Sequence, residues 1–453
     1  MAALPLLLAA CGGGGSGAAP PDSGTLSAAA LLGQKIFADK ALSASGQQSC
    51  SSCHVAASAF AEDASAGGVD HGSPVPLGGP AMDKTGFRNT PSLMYAALTP
   101  AFSVGSDGGP VGGFFRDGRA RTLADQAVLP FTTSFEMANA DASAVVARLK
   151  TRPYLADFEA LYGAAVLDDP ATALNRMGQA LAAFERENPA FHPFSSKYDY
   201  FQKGQAQLSA QELRGLALFN DATKGNCSAC HPSTSGDGVT PPMFTDFSYD
   251  NLGVPRNALI PANAASAPDG TPVDSDDGVQ TYYDLGVCGP FREQTVDFFS
   301  NCGQFKVPTL RNIAVTGPYF HNGRFATLQD AIGFYVRRDT NPEEWYPMNA
   351  DGTVTKFDDL PAIYGGQFVV TPGVVGSDAG YLGNVNTSEI PYNRVIGDTP
   401  ALSPDEIDDV ITFLCALTDG FDPANPTAQV LPAQCQAAAS PAAAAVPRTS
   451  LSR

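Results

Sequence analysis

The chain of 453 residues is poor in basic side chains, and it contains five histidines and one tryptophan. Lys and Arg number 27 against 46 Asp and Glu, a net charge of −19, which argues against a nucleic-acid-binding protein because such proteins need a basic surface. No run of about 18 or more apolar residues occurs beyond the extreme N-terminus, so the sequence predicts no transmembrane helix. With 44% apolar and 16% charged residues, most of the chain should be globular and divided into two or three domains.

The N-terminus has the pattern of an export signal. An apolar run ends in the motif LAAC at Cys11, which is typical of cleavage before a cysteine that then carries lipid. We therefore expect a lipoprotein-type signal peptide at 1–11, a flexible Gly/Ser-rich linker at 12–25, and a periplasmic protein anchored to the membrane through Cys11. No basic residue precedes Lys35, which a start further upstream would explain. A chance cysteine in a disordered tail is the alternative.

Two copies of the motif CxxCH stand out among the cysteines. The motif is typical of c-type haem attachment, in which both thiols bond to the haem and the histidine becomes the proximal iron ligand. A lone CxxC would also suit a redox dithiol or half of a zinc site. Two copies, each followed by His and neither matched by a further CxxC, favour two covalent haem c groups. The copies are Cys50, Cys53 and His54, and Cys227, Cys230 and His231.

Four further cysteines form two pairs that are close in sequence. The short separations predict the disulfides Cys288–Cys302 and Cys415–Cys435, which suits an oxidising periplasm. Free buried thiols are the alternative.

The chain contains an internal duplication. The segment FFRDGRARTLADQA at 114–127 resembles YFHNGRFATLQDAI at 319–332. A glycine and a phenylalanine one helical turn apart precede each CxxCH, and a glycine on a helix face allows another helix to cross closely. We therefore expect related helices in both halves. These pairs are Gly33 with Phe37 and Gly215 with Phe219.

The duplication predicts the domain organisation. We expect a mainly α fold with long irregular loops, in which 26–200 and 201–437 are tandem cytochrome c-type domains that each carry one covalently attached haem c. A capping box that starts at Ser403 opens a helix with an apolar stripe, which should pack on the helix that contains Gly215. Residues 438–453 should form a disordered tail.

The repeat also makes the two haem sites unequal. Tyr335 occupies the place in the second repeat that Pro130 occupies in the first, and proline cannot ligate iron. If Tyr335 is the sixth ligand of haem 2, haem 1 is open and can bind peroxide or oxygen. Alternatively, Tyr335 is an ordinary core aromatic and Met348 or Met243 is the ligand.

Over about residues 30–425 the chain resembles the bacterial dihaem cytochrome c peroxidases, including the MauG branch. The resemblance implies that the N-terminal haem is peroxidatic and that the C-terminal haem transfers electrons, with Tyr335 as its distal ligand. Its most specific segments are LSASGQQSCSSCHVAASAF, RNTPSL, FFRDGRARTLADQAVLPFTTSFEM, LFNDATKGNCSACHPS, FTDFSYDNLGVPRN and FKVPTLRNIAVTGPYFHNGRFATLQDAIGFY.

The resemblance also implies a catalytic acid beside haem 1, which falls on Glu136, with Gln126 and Pro130 on the same segment. A carboxylate can move a proton from the near to the far oxygen of bound peroxide, and burial would raise its pKa towards neutrality. Taken alone, Glu136 could equally be a solvated surface carboxylate.

A calcium ion between the domains is a further implication of the resemblance. Its ligands would be the side chain of Asn89 and the carbonyls of Thr316 and Pro318, completed by water, and hard oxygen ligands suit calcium. The alternative is that Asn89 only caps a turn.

Two positions depart from the family pattern. The loop after the first CxxCH has His71, whereas the family's loop ligand would fall near residues 79–81, so we expect haem 1 to be open without prior reduction.

Arg116 stands where the family usually has a tryptophan between the haems. Because arginine cannot be oxidised in that role, we expect slower communication between the haems unless an aromatic residue such as Phe115 substitutes.

The leading functional prediction is a periplasmic peroxidase that reduces hydrogen peroxide to water with electrons from a small cytochrome c or cupredoxin. A MauG-like enzyme, which uses peroxide-derived high-valent iron to oxidise residues of a partner protein, is the second. A non-enzymatic dihaem electron carrier is the third. The sequence does not decide between a monomer and a homodimer.

Overall fold

A computed structural model of the chain describes residues 26–62, 74–106, 108–260, 263, 283–289, 301–360, 367–371, 374–377 and 385–438. The predicted signal peptide with Cys11, the linker, His71 and the predicted tail beyond residue 438 lie outside the described residues.

The described part of the chain is built mainly from helices joined by irregular loops, which confirms the prediction of a mainly α fold. The longest helix, α6, begins with a proline after Asp169, whose side chain accepts hydrogen bonds from the first turn and so satisfies free backbone donors there. The α-helices are α1 (Ala28–Ala38), α2 (Cys50–Cys53), α3 (Leu123–Val128), α4 (Ala142–Leu149), α5 (Leu155–Tyr162), α6 (Pro170–Glu187), α7 (Lys197–Gln202), α8 (Ala210–Asn220), α9 (Leu328–Arg337), α10 (Pro404–Cys415) and α11 (Ala433–Ala438).

Among the described residues, β-structure is limited to four antiparallel pairs of short strands. In the first pair, Leu77 lies opposite Thr85. The Leu77 carbonyl accepts a hydrogen bond at 2.7 Å from the side chain of Gln48, which lies just before the first CxxCH. The pairs are β1 (Leu77–Gly78) with β2 (Lys84–Thr85), β3 (Ser103–Val104) with β4 (Pro110–Val111), β5 (Tyr249–Asp250) with β6 (Phe305–Lys306), and β7 (Gln367–Thr371) with β8 (Val374–Ser377).

A close helix crossing occurs once in each half, at the predicted glycines. A Cβ atom on Gly33 of α1 would lie 2.0 Å from the carbonyl oxygen of Ala180 in α6, and one on Gly215 of α8 would lie 2.0 Å from that of Asp409 in α10. Only glycine permits these distances. The predicted packing of the Ser403 helix on the Gly215 helix is therefore confirmed, whereas its counterpart α6 was not predicted.

The phenylalanines one turn after these glycines repeat the same packing. The rings of Phe37 and Phe184 are 5.5 Å apart in the first half, and those of Phe219 and Phe413 are 5.3 Å apart in the second. Such aromatic pairs stabilise a core beyond the area they bury. The internal duplication thus extends from sequence to packing.

The buried apolar residues form two large clusters that follow the order of the chain. One draws on residues between Leu32 and Phe191, and the other on residues between Tyr198 and Cys435. Each cluster encloses its own close helix crossing. The domain boundary between residues 200 and 201 stays a prediction.

Both predicted cysteine pairs are joined in the structure. Cys288 is bonded to Cys302, and Cys415 is bonded to Cys435. The second bond links α10 to α11, so the last described helix is tied to the crossing of α8 and α10. Within the described part of the chain, no helix has the length and apolar character that a membrane span requires.

We expect Gly215→Ala to destabilise the protein. The new Cβ would meet the Asp409 backbone, and such overpacking costs about 1–3 kcal/mol, although alanine is intrinsically the better helix former. Denaturant unfolding of the holoprotein measures the effect. The control is Gly236→Ala, at an exposed position with no atom within 4 Å of the new Cβ. A Gly215→Ala protein as stable as the wild type would contradict the close crossing.

Candidate functional site

Each CxxCH motif borders its own cavity. The first cavity, of about 150 Å³, is bordered by Cys50, Cys53 and His54. The second, of about 340 Å³, is bordered by the other motif, Cys227, Cys230 and His231. The four motif cysteines form no disulfide, so their sulfur atoms remain available to a ligand in the cavity.

The two motif histidines are held in the same way. His54 lies with Nδ1 2.9 Å from the carbonyl oxygen of Phe60, and His231 with Nδ1 2.8 Å from that of Phe244. An Nδ1–H that donates to a carbonyl leaves Nε2 as the free metal ligand, which is the usual outer support of a ligating histidine. Burial lowers the pKa of His54 to about 4 and also lowers that of His231. Both imidazoles are therefore neutral, the form that binds iron, and both cavities fit a haem.

The first cavity brings together the three residues predicted to be catalytic. Glu136, Gln126 and Pro130 all line it with the first CxxCH. Burial is the largest effect on Glu136 and raises its pKa, while the Arg119 charge and a hydrogen bond from Thr133 oppose that rise. Glu136 is thus a partly buried carboxyl group in a cavity wall, and its catalytic role stays a prediction.

The turn that carries Glu136 is fixed by backbone contacts. The Glu136 N–H donates to the Thr133 carbonyl at 3.0 Å, and the Gly79 N–H donates to the Glu136 carbonyl at 2.9 Å. A Cβ on Gly78 would lie 2.2 Å from the Phe135 carbonyl oxygen. The segment where the family's loop ligand would fall therefore supports the Glu136 turn in this chain.

Tyr335 lies on α9 in the wall of the second cavity. Its ring centroid is 5.4 Å from that of Phe320 and 6.1 Å from that of Tyr392, and burial raises its pKa above the usual range. Met348 is 60% exposed and does not border the cavity. Met243 does border it, but it directly precedes Phe244, whose carbonyl supports the proximal histidine.

The two cavities share a wall. Arg116 and Phe115 face both cavities, and the guanidinium carbon of Arg119 lies 3.6 Å from the centroid of the Phe115 ring. The wall between the two cavities therefore contains a partly buried cation beside an aromatic ring. The residues that line both cavities are Thr90, Pro91, Leu93, Phe115, Arg116 and Gln126.

Charged side chains collect around this wall. Arg88 donates to Asp117 at 2.9 Å and to Asp284 at 2.5 Å and 2.7 Å. The backbone N–H of Lys306 donates to the Arg116 carbonyl at 2.8 Å, and the Lys306 side chain donates to the Gly113 carbonyl at 2.5 Å. Four cations thus surround these two aspartates, namely Arg88, Arg116, Arg119 and Lys306. Such a cluster suits the carboxylates that a haem carries, and these cations are the residues that would hold them.

The residues predicted to bind calcium also lie at this wall. The Asn89 side chain donates to the carbonyl of Pro318 and accepts a hydrogen bond from Arg116, while Thr316 and Pro318 border the second cavity. Asn89 therefore connects the two halves of the chain, and the alternative that it only caps a turn is wrong.

Two charged residues of the first cavity were not predicted from the sequence. Arg119 lines the cavity and acts on the charge of Glu136. Glu185 of α6 also lines it, is 3% exposed, and has its pKa raised by burial to about 8. The only sequence signal for Glu185 is an acidic residue beside the apolar stripe of a helix.

The comparisons with known proteins agree with this site. The profile of the family "Di-haem cytochrome c peroxidase" matches residues 27–207. Methylamine utilization protein MauG of Paracoccus denitrificans is 40% identical over 309 residues, which cover 68% of this chain and 74% of that protein. Cytochrome c551 peroxidase of Nitrosomonas europaea is 29% identical over 315 residues, which cover 69% of this chain and 74% of that protein.

A solved structure extends the likeness to the fold. The diheme peroxidase BthA from Burkholderia thailandensis superposes with a TM-score of 0.72 at 35% identity, and 86% of each chain is covered. Together with the paired cavities, these matches define a di-haem oxidoreductase. The chain belongs to the family of the di-haem cytochrome c peroxidases and MauG.

We expect Gly78→Ala to slow the reaction of the first haem with hydrogen peroxide. The new Cβ would displace the Phe135 carbonyl and with it Glu136, and a misplacement of about 1 Å in an active site can cost about 100-fold in rate. Stopped-flow absorption measures the rate. Gly236→Ala again serves as the control, and unchanged kinetics in Gly78→Ala would show that the hairpin does not position Glu136.

Proposed function

We propose that the protein is a periplasmic dihaem peroxidase that reduces hydrogen peroxide to water with electrons from a small cytochrome c or a cupredoxin. Each CxxCH would attach one haem c covalently through its two thiols. The observation that carries the proposal is the asymmetry of the two cavities. The first has Glu136 and Pro130 in its wall, whereas the second has Tyr335 at the position that corresponds to Pro130.

The residues of the first cavity suit peroxide cleavage. The haem, when bound, supplies the iron that takes up the peroxide and delivers electrons. The Glu136 carboxylate accepts the proton of the near oxygen and returns it to the far oxygen, which then leaves as water. Arg119 favours the ionised form of Glu136, and the Gln126 amide lies in the same wall as a donor. Two electrons and two protons convert one peroxide into two waters.

The proposed partner and location follow from charge and from the export signal. A chain with a net charge of −19 attracts a basic electron donor and so favours fast encounter. Anchoring through Cys11 would place the protein at the membrane surface of the periplasm, where such donors circulate.

A MauG-like activity is the second candidate. The 40% identity to MauG of Paracoccus denitrificans and the presence of Tyr335 favour it. In that case the oxidising equivalents of peroxide would oxidise residues of a partner protein. The asymmetry of the cavities serves both candidates, so a kinetic experiment must separate them.

The decisive experiment follows hydrogen peroxide consumption by the ferric holoprotein with a reduced small c-type cytochrome as the electron donor. A peroxidase consumes many peroxide molecules per protein and oxidises two cytochromes for each. Consumption of a single equivalent without sustained turnover would support the MauG-like candidate. A protein that ignores peroxide before and after one-electron reduction would be an electron carrier.

We expect Glu136→Gln to lower peroxide turnover by about 10²–10⁴-fold, since general acid–base groups contribute that much. The amide keeps the shape of the side chain but cannot accept and return the proton. Steady-state turnover with the reduced cytochrome measures the loss, and Glu343→Gln, at an exposed site, is the matched control. Equal turnover in both variants would remove Glu136 from the mechanism.

We propose that the phenol oxygen of Tyr335 would be the sixth ligand of haem 2, and we therefore expect Tyr335→Phe to leave that haem five-coordinate and high-spin. Absorption and electron paramagnetic resonance spectra of the ferric protein report the change. Tyr392→Phe, which removes the neighbouring phenol oxygen, should leave the spectra unchanged. If both variants keep the wild-type spectra, the sixth ligand is another residue, with Met243 as the remaining candidate.

A further inference from the structure

Arg116 makes a chain of contacts that crosses between the halves of the protein. Its guanidinium donates to the side-chain oxygen of Asn89, and the Asn89 amide donates to the carbonyl of Pro318. The backbone repeats the connection, because the Asn89 N–H donates to the His321 carbonyl at 3.0 Å and the Lys306 N–H donates to the Arg116 carbonyl at 2.8 Å. Arg116 is therefore part of the interface between the two halves of the protein.

These contacts use two of the three oxygen atoms that were predicted to bind calcium, those of Asn89 and Pro318. Calcium takes six to eight oxygen ligands at about 2.3–2.6 Å. The one side-chain oxygen of Asn89 already accepts from a cation, and the Pro318 oxygen accepts from an amide N–H. A calcium ion on Asn89 would have to displace the guanidinium or lie directly against it. The residues present therefore do not fit calcium.

The surrounding charges disfavour an added dication further. Arg88, Arg119 and Lys306 lie in the same cluster. Burial first, and then the Arg88 charge, lower the pKa of Arg116 to about 9. Burial also lowers the pKa of Lys306 to about 8, with Arg116 adding to the effect. The wall is already rich in positive charge, yet Arg116 stays protonated at neutral pH.

We propose that the guanidinium of Arg116 takes the place of a calcium ion between the two haem cavities, so that the interface between the two halves does not require calcium. The arginine supplies a permanent cation to the Asn89 oxygen. Because it is covalently part of the chain, chelators cannot remove it. This proposal concerns the interface and is independent of the reaction at the first cavity.

The test measures metal content and stability rather than turnover. We expect the purified holoprotein to contain far less than one calcium per chain by mass spectrometry, and neither EGTA nor added calcium should change its ferric spectrum or its thermal unfolding. A holoprotein that retains one calcium per chain, and loses thermal stability with EGTA, would overturn the proposal. Neither outcome depends on whether the protein turns over peroxide.

Variants show whether Arg116 is the reason. In Arg116→Ala the Asn89 oxygen is released, so the unfolding temperature should fall and added calcium should raise it again. Arg116→Lys keeps a cation at the site and should show no response to calcium. Arg121→Ala, at an exposed position on the same segment, is the control for loss of positive charge. If Arg116→Ala shows no response to calcium, Arg116 does not stand in for the ion.

Discussion

The close helix crossings at Gly33 and Gly215 are the constraint on which both haem sites depend. Each crossing brings a phenylalanine, Phe37 or Phe219, into the core, and that ring also lines the cavity of its own half. Each CxxCH follows its glycine-containing helix in sequence, and the motif lines the same cavity as the phenylalanine of that helix. A side chain at either glycine would separate the helices and change the cavity wall, which explains why a small local feature recurs in both halves.

The local features could be predicted from the sequence, and the long-range ones could not. The CxxCH motifs, the repeat and the helix that starts at Ser403 all lie within short, patterned segments, for which spacing is informative. Glu136 is predicted only through the resemblance of its segment to the family, and its backbone is held in the cavity wall by the Gly78–Gly79 hairpin. Glu185 has no motif, because its place in the cavity results from the packing of α6 on α1, which no local pattern encodes.

The duplicated scaffold separates what is common from what is specific. In both halves a phenylalanine and a glycine with positive φ form the same turn, at 62° and 69° for Phe115 and Gly118 and at 67° and 62° for Phe320 and Gly323. A positive φ is unfavourable for a residue other than glycine, and such a residue adopts it only where the surrounding structure requires it. The helix that follows this turn lines the cavity in each half. The sites then differ in their side chains, with Pro130 and Glu136 in the first cavity wall and Tyr335 in the second.

The charge of the shared wall bears on the choice between the two enzyme candidates. A fixed cation in a buried position stabilises the electron-rich state of any redox group nearby and opposes the removal of further electrons. Arg116 thus disfavours the sharing of an oxidising equivalent between the two haems. An enzyme that oxidises a distant partner through both haems needs that sharing, whereas the reduction of peroxide to water at the first haem does not depend on it. The charge of the wall is therefore an argument for the proposed peroxidase, whereas the 40% identity to MauG of Paracoccus denitrificans is an argument for the MauG-like candidate.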